Sequence, residues 1–179
     1  MKLTTRFLAT LDAQDVFDVI AWQLLRQNAR ATAFDGVKCM YRAPDGKRCA
    51  IGWIMPDEVY HKTIEFMGVR DIAQQMINTN YADAFARFLY RHMDLLRDLQ
   101  EMHDARMPCD WPVAMRVIAQ RYHLNSSVIE NCERNFGLVV KAAPPPRVTY
   151  RPVAPARLLD IAAMSKAKAP EESRETCSA

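Results

Sequence analysis

Two short alternating runs, Val37–Arg42 and Arg48–Trp53, flank the turn Ala43-Pro44-Asp45-Gly46-Lys47, and this pairing constrains the chain more than any other feature. Proline pre-sets the first turn angle, and Gly46 accepts the positive φ of a bulged hairpin loop. If Ala43 pairs with Lys47, Tyr41 faces Cys49 and Cys39 faces Ile51. Val37, Cys39, Tyr41, Cys49, Ile51 and Trp53 then share one face, and Lys38, Met40, Arg42, Arg48, Ala50 and Gly52 the other. A lone hairpin is marginal in water, so the apolar face must pack on helices.

Those helices are legible by period and caps. Asp12 caps a helix over about Asp12–Ala29, with Asp15 near its positive end and Phe17, Ile20, Ala21 and Leu24 on one face. Pro56, with Asp57 and Glu58 beside it, opens a second helix to about Met67, and a short piece follows at Asp71–Met76. Phe85, Phe88, Leu89, His92, Leu96, Leu99 and His103 recur at helical spacing, predicting one long helix over about Tyr81–Ala105. Trp111 and Pro112 open a further helix to about Tyr122, and a shorter one lies near Ser126–Arg134. From residue 142 the composition shifts: six of the ten prolines fall in 142–179, including Pro144-Pro145-Pro146. This stretch reads as a flexible tail with one amphipathic segment at 156–166 and a polyproline-type ligand as an alternative use. The expected fold is α+β: about five helices packed on one two-stranded β-hairpin at 37–53 within residues 1–141, then a disordered C-terminal tail.

Composition removes several function classes. No apolar run reaches the roughly 18 residues that span a bilayer, and the N-terminus lacks a secretory signal, so no membrane partner and a cytoplasmic location are expected. Five cysteines without framework spacing imply reduced thiols, and none is spaced from another cysteine or a histidine as zinc ligands are. The net charge is +3, and 142–179 supplies two of those charges through six Lys/Arg against four Asp/Glu, leaving the folded part almost neutral. A phosphate-tracking surface carries more basic excess. Only five glycines occur, and no nucleotide-cradling loop is among them.

Four constellations remain. Cys39 and Cys49 can form a redox pair, or a nucleophile with His61, or simply fill a hairpin–helix interface, which the chemistry favours. His61, His103 and Asp104 suggest a metal-dependent phosphohydrolase, although His92 and His103 are eleven residues apart, about 16 Å along one helix, and cannot share a metal. The corner Ile118–Cys132 has the spacing of a helix-turn-helix, with Asn125, Ser126, Ser127 and Asn131 as its DNA-facing residues. Glu130 and Glu133 on the would-be recognition helix would repel phosphates. Finally, Lys38, Met40, Arg42 and Arg48 with Asp45 at the tip form an outward hairpin face suited to a protein partner. Arg42 and Arg48 sit opposite each other there, a cost that Asp57 or Glu58 would relieve.

The hairpin string Cys39-x-Tyr41-Arg42-x-x-x-Gly46-x-x-Cys49-Ala50-x-Gly52, with Pro56-Asp57-Glu58-x-Tyr60 after it, resembles a family of small, uncharacterised phage and prophage proteins. In that family a helix like Phe17–Leu25 precedes the hairpin. A segment like Leu95–Asp104 and a tryptophan helix like Trp111–His123 follow. The likeness spans about residues 12–124 and omits the tail. It implies a bacteriophage or mobile-element origin and carries no catalytic residue. The expected function is a non-enzymatic accessory protein, with no cofactor or metal, that binds a host or phage protein in host takeover or anti-defence. A DNA-binding regulator is the alternative, and a hydrolase the third.

Overall fold

A computed structural model describes residues 4–138; the tail expected from 142, its segment at 156–166 and the triple proline lie outside the described residues. Eight α-helices account for most of the described chain: α1 (Thr5–Leu8), α2 (Ala13–Gln27), α3 (Ala50–Ile54), α4 (Val69–Asn78), α5 (Asp83–Arg91), α6 (Met93–Ala105), α7 (Trp111–Arg121) and α8 (Ser127–Phe136). Short 3-10 turns lie at Lys62–Ile64 and Pro108–Asp110. The α+β expectation is therefore corrected: this is an all-helical fold among the described residues, without a sheet.

The long amphipathic helix α2 is the hub. Asp12 and Asp15 close a reciprocal capping box at its start, and Asn28 ends it in the left-handed region at φ 44°. It packs against α3, α7 and α8, burying Phe17, Ile20 and Leu24 completely. On the far side of the core, α4 packs on α5 and α6, and α6 on α3 and α7. Phe85, Phe88, Leu96, Leu99, Trp111 and Ile129 complete one continuous interior.

The expected two-stranded hairpin at 37–53 does not form. Its tip is as read, with Ala43 N–H donating to Lys47 O at 2.9 Å, but pairing amounts to a single bridge, Arg42 to Arg48. The second run coils into α3 at Ala50, with the Cys49 Sγ accepting the Gly52 N–H at 3.4 Å. Burial explains the choice. Extended, Ala50-Ile51-Gly52-Trp53-Ile54 would turn alternate residues to water; as a helix it buries Ala50, Ile51 and Ile54 fully. Gly52 also lies so close to the first run that a Cβ would stand 1.9 Å from the Tyr41 carbonyl oxygen.

Upstream, 31–40 forms a second tight turn. Ala33 N–H donates to Lys38 O at 2.8 Å and Met40 N–H to Ala31 O at 2.9 Å, around one bridge from Thr32 to Cys39.

Two helix expectations also change. The stretch Pro56–Met67 is not a helix but a turn at Pro56–Tyr60 followed by the 3-10 turn. The reason is Glu65, whose carboxylate turns inward to accept the N–H groups of Tyr41 (2.7 Å) and Arg42 (3.1 Å) and the Tyr60 hydroxyl (2.8 Å). Those backbone groups have no neighbouring strand, and buried N–H groups must find some acceptor. The rod expected over Tyr81–Ala105 starts at Asp83 and breaks at His92, which has φ −112° and joins α5 to α6. Its ring lies 5.0 Å from the Phe88 ring and near enough to the Leu11 backbone to be influenced by it.

Candidate functional site

A groove of about 690 Å³ opens between the 31–40 turn, the segment 66–69 and α6. The turn contributes Val37, Lys38, Cys39 and Met40; Phe66 and Met67 form the opposite lip; Arg97, Gln100, Glu101 and Asp104 project from successive turns of α6.

Its floor is a hydrogen-bonded chain. His103, fully buried, presents Nε2 to the Ala31 N–H at 3.2 Å and Nδ1 to Asp104 Oδ1 at 2.8 Å. Because the backbone N–H requires an acceptor, the ring proton sits on Nδ1 and is donated to Asp104. Gln100 donates from Nε2 to both Asp104 oxygens (2.9 and 3.0 Å) while its Oε1 accepts the Ile51 N–H at 3.3 Å. Burial pushes the Asp104 carboxyl up, but hydrogen bonds from His103, Gln100 and Cys39 outweigh it and hold the group below its usual range. Arg30 donates from Nη2 to the Cys39 sulfur at 3.1 Å. Burial raises the Cys39 thiol, Asp104 adds to this, and Arg30 offsets only part, so the sulfur stays protonated near neutrality. Trp111 stacks on the imidazole at 5.4 Å and locks it.

Cys39, His103 and Asp104 each offer an atom within 4.8 Å of the others, a spacing that invites a metal. The hydrogen bonds oppose it. A cation on Nδ1 would force the proton onto Nε2, facing the Ala31 N–H donor to donor, and the Arg30 guanidinium already occupies the sulfur. The hydrolase set is not assembled either: His61 caps the 3-10 turn, its Nδ1 3.0 Å from the Thr63 hydroxyl, while His103 clusters with Cys39.

The outward hairpin face divides in two. Lys38 and Met40 line the groove. Arg42 and Arg48 turn the other way and share Asp57 Oδ1, at 2.9 and 3.5 Å. Arg42 also donates to the Met55 carbonyl at 2.8 Å and lies 4.3 Å over the Tyr60 ring. Asp45 pairs with Lys47 at the tip. At the α7–α8 corner, His123 takes φ 55° and the Asn125 backbone is pinned to Gln14 of α2 by two bonds (2.7 and 3.0 Å). The Asn125 side chain accepts the Ser127 N–H at 2.7 Å, Ser126 is the N-cap of α8, and Asn131 accepts from Arg134. Glu133 is paired with Arg116 at 2.6 Å. These residues hold the corner together.

Sequence reading missed Arg30, Phe34, Glu65, Phe66 and Gln100. Phe34-Asp35-Gly36-Val37, turn residues between two apolar ones, was the available signal for the first turn. The Asp35 carboxylate accepts the N–H groups of Val37 (2.9 Å) and Lys38 (3.1 Å), and these bonds hold it below its usual range. Nothing local marks Phe66, which holds φ 67° because Glu65 before it points inward and α4 starts just after.

Comparison with known proteins finds no matching family model, no matching curated protein and no matching solved structure. No described helix is long and apolar enough to cross a membrane.

Proposed function

We propose that this protein works by binding another macromolecule, most simply a host or phage protein, and not by catalysis. One observation carries the reading. Among the described residues, the three most exposed large hydrophobic side chains are Phe34 (95%), Val37 (73%) and Phe66 (63%). Val37 and Phe66 line the groove, and Phe34 lies on the turn that forms one of its walls. Scattered exposed hydrophobics are ordinary, but clustered ones beside a concave surface mark binding sites. The turn is held by its own backbone bonds and by Asp35, so little ordering entropy would be lost on association.

The groove floor supports the same reading, since both imidazole nitrogens of His103 are engaged and the Cys39 sulfur is a thiol. The hairpin-string resemblance supports a phage or prophage accessory protein acting in the bacterial cytoplasm, as in host takeover or anti-defence. The test is affinity capture from infected cells with the wild-type chain and the double variant Phe34→Ser/Phe66→Asn. Both proteins are first shown to melt alike. Loss of a specific partner from the variant is expected; retention of every partner would remove the groove from the interface.

A further inference from the structure

We propose that the groove takes a protein segment in which an apolar side chain sits beside a carboxylate. The proposal rests on the binding reading above and specifies the chemistry of the partner.

Charge is distributed unevenly across the groove. The loop wall carries Arg30 and Lys38, and neither has a carboxylate within ion-pair distance among the described residues. Arg30 gives one donor to Cys39, and its buried Nε has no acceptor among the described residues. The Lys38 Nζ lies 5.9 Å from the centre of the exposed Phe66 ring, so cation and aromatic face are offered together. On the helix wall, Arg97 is engaged by Asp94 and Asp98 at 3.3 and 3.9 Å, and Asp104 by His103 and Gln100. Of the charged residues on this wall, Glu101 alone has no ion-pair partner among the described residues.

Among the residues lining the groove, the charges outside any ion pair are therefore two cations on the loop wall and one anion on the helix wall; the nearby Asp35 carboxylate is turned to its own backbone, accepting the Val37 and Lys38 N–H groups. A carboxylate delivered to the loop wall answers Arg30 and Lys38. An apolar side chain next to it covers Phe66 and Val37, which otherwise face water, and the half-buried Met40 between the walls. A phosphodiester strand fits less well, because it brings a charge with every unit and would meet Glu101 and the ionised Asp104. The volume of about 690 Å³ suits a few side chains of a short segment, within the roughly 300–1,000 Å³ of small-ligand sites.

The experiment is selection of a randomised short-peptide display library on the full-length protein, then titration of the consensus peptide by fluorescence anisotropy. Enriched peptides should pair a large apolar residue with a nearby Asp or Glu. Lys38→Glu should weaken them about tenfold or more, ~1.4 kcal/mol. A peptide with its acidic residue changed to lysine should regain affinity for that variant, a swap that a merely misfolded variant would not show. Phe66→Asn, which suits the positive φ at this position, should weaken every selected peptide. Basic or uncharged consensus peptides that still depend on Phe66 would overturn the proposed chemistry and leave the binding reading intact. No enrichment, or enrichment indifferent to both Phe34 and Phe66, would overturn both. Tight, steeply salt-dependent binding of single-stranded oligothymidylate, lost in Lys38→Glu, would assign the groove to nucleic acid instead.

Discussion

The carboxylate of Glu65 accepts the Tyr41 N–H at 2.7 Å from 24 positions further along the chain, where a hairpin would have placed a strand neighbour. One side chain thus replaces a ladder. It closes the 41–42 backbone, fixes Tyr60, and sets the direction in which Phe66 leaves the core.

Glu65→Ala should therefore destabilise the protein by about 3 kcal/mol, because buried donors left without acceptors cost roughly 1–3 kcal/mol each. Glu65→Gln keeps one acceptor oxygen and should cost less. Urea titration of both variants decides it; an unchanged midpoint for the alanine variant would show that water replaces the carboxylate.

Gly52 and Gly46 should respond to alanine in opposite proportion to their conformations. Gly52 has an ordinary φ but no room beside the Tyr41 carbonyl, so Gly52→Ala should cost about 3 kcal/mol or more. Gly46 has open space but φ 84°, so Gly46→Ala should cost about 1–2 kcal/mol. A reversed order in thermal melts would mean that 41 and 52 are not in contact.

His92 makes stability depend on pH. Burial lowers its pKa from 6.5, Arg91 adds to this, and the Leu11 backbone and Asp12 offset only part; its Nε2 has no partner among the described residues. The unfolded histidine takes up a proton near 6.5 and the folded one only at lower pH. Stability is thus complete above 6.5 and declines as pH falls below it, because the unfolded chain then binds more protons. Asp35, Asp45 and Asp104, all held low, add their own losses only as pH drops below 3.8 and through their folded values. Urea midpoints at about pH 7.5 and about pH 5.5 should differ in the wild type and differ less in His92→Gln. Equal differences would assign the dependence to other groups.

Asp57→Asn should leave Arg42 and Arg48 facing each other without a counter-charge. Surface pairs are worth about 0–1 kcal/mol, so the melting temperature should fall by a few degrees and partly recover in high salt. Adding Arg48→Gln should also restore it. A drop insensitive to salt would point to a packing role for Asp57. Reversing Arg42 itself is a poor probe of binding, since it also breaks the Met55 bond and the Tyr60 stack.

The His103 tautomer is directly observable. Nitrogen NMR of labelled protein should show a protonated Nδ1 and an unprotonated Nε2, and added zinc should leave the melting temperature unchanged. A proton on Nε2, or stabilisation by zinc, would reopen the metal reading.

Where information was local, the sequence was readable. Asp12 and Asp15 announce α2 because both cap partners lie within one turn, and Trp111-Pro112 announce α7 in the same way. The errors lie where distant residues decide. The second hairpin run carries strand-like alternation, yet burial of Ile51 and Ile54 against α2 and α6 favours a helix. Glu65 falls inside the helix expected over Pro56 to about Met67 until Tyr41 and Arg42 are brought beside it. The apolar period through His92 is unbroken in sequence, and only contact with Leu11 marks the break. The groove was illegible for the same reason: its walls come from 30–41, 66–69 and α6, and no short window contains them.

Two successive turns that each stop at one bridge, Thr32 to Cys39 and Arg42 to Arg48, also decide how this region meets other chains. A longer hairpin would expose a row of unpaired N–H and C=O groups, a template on which any extended chain can add itself. Here the first run is closed by a carboxylate and the second coils away, so strand addition has nothing to build on. Among the described residues, association at this face is left to side chains, which discriminate between partners where a backbone ladder would not.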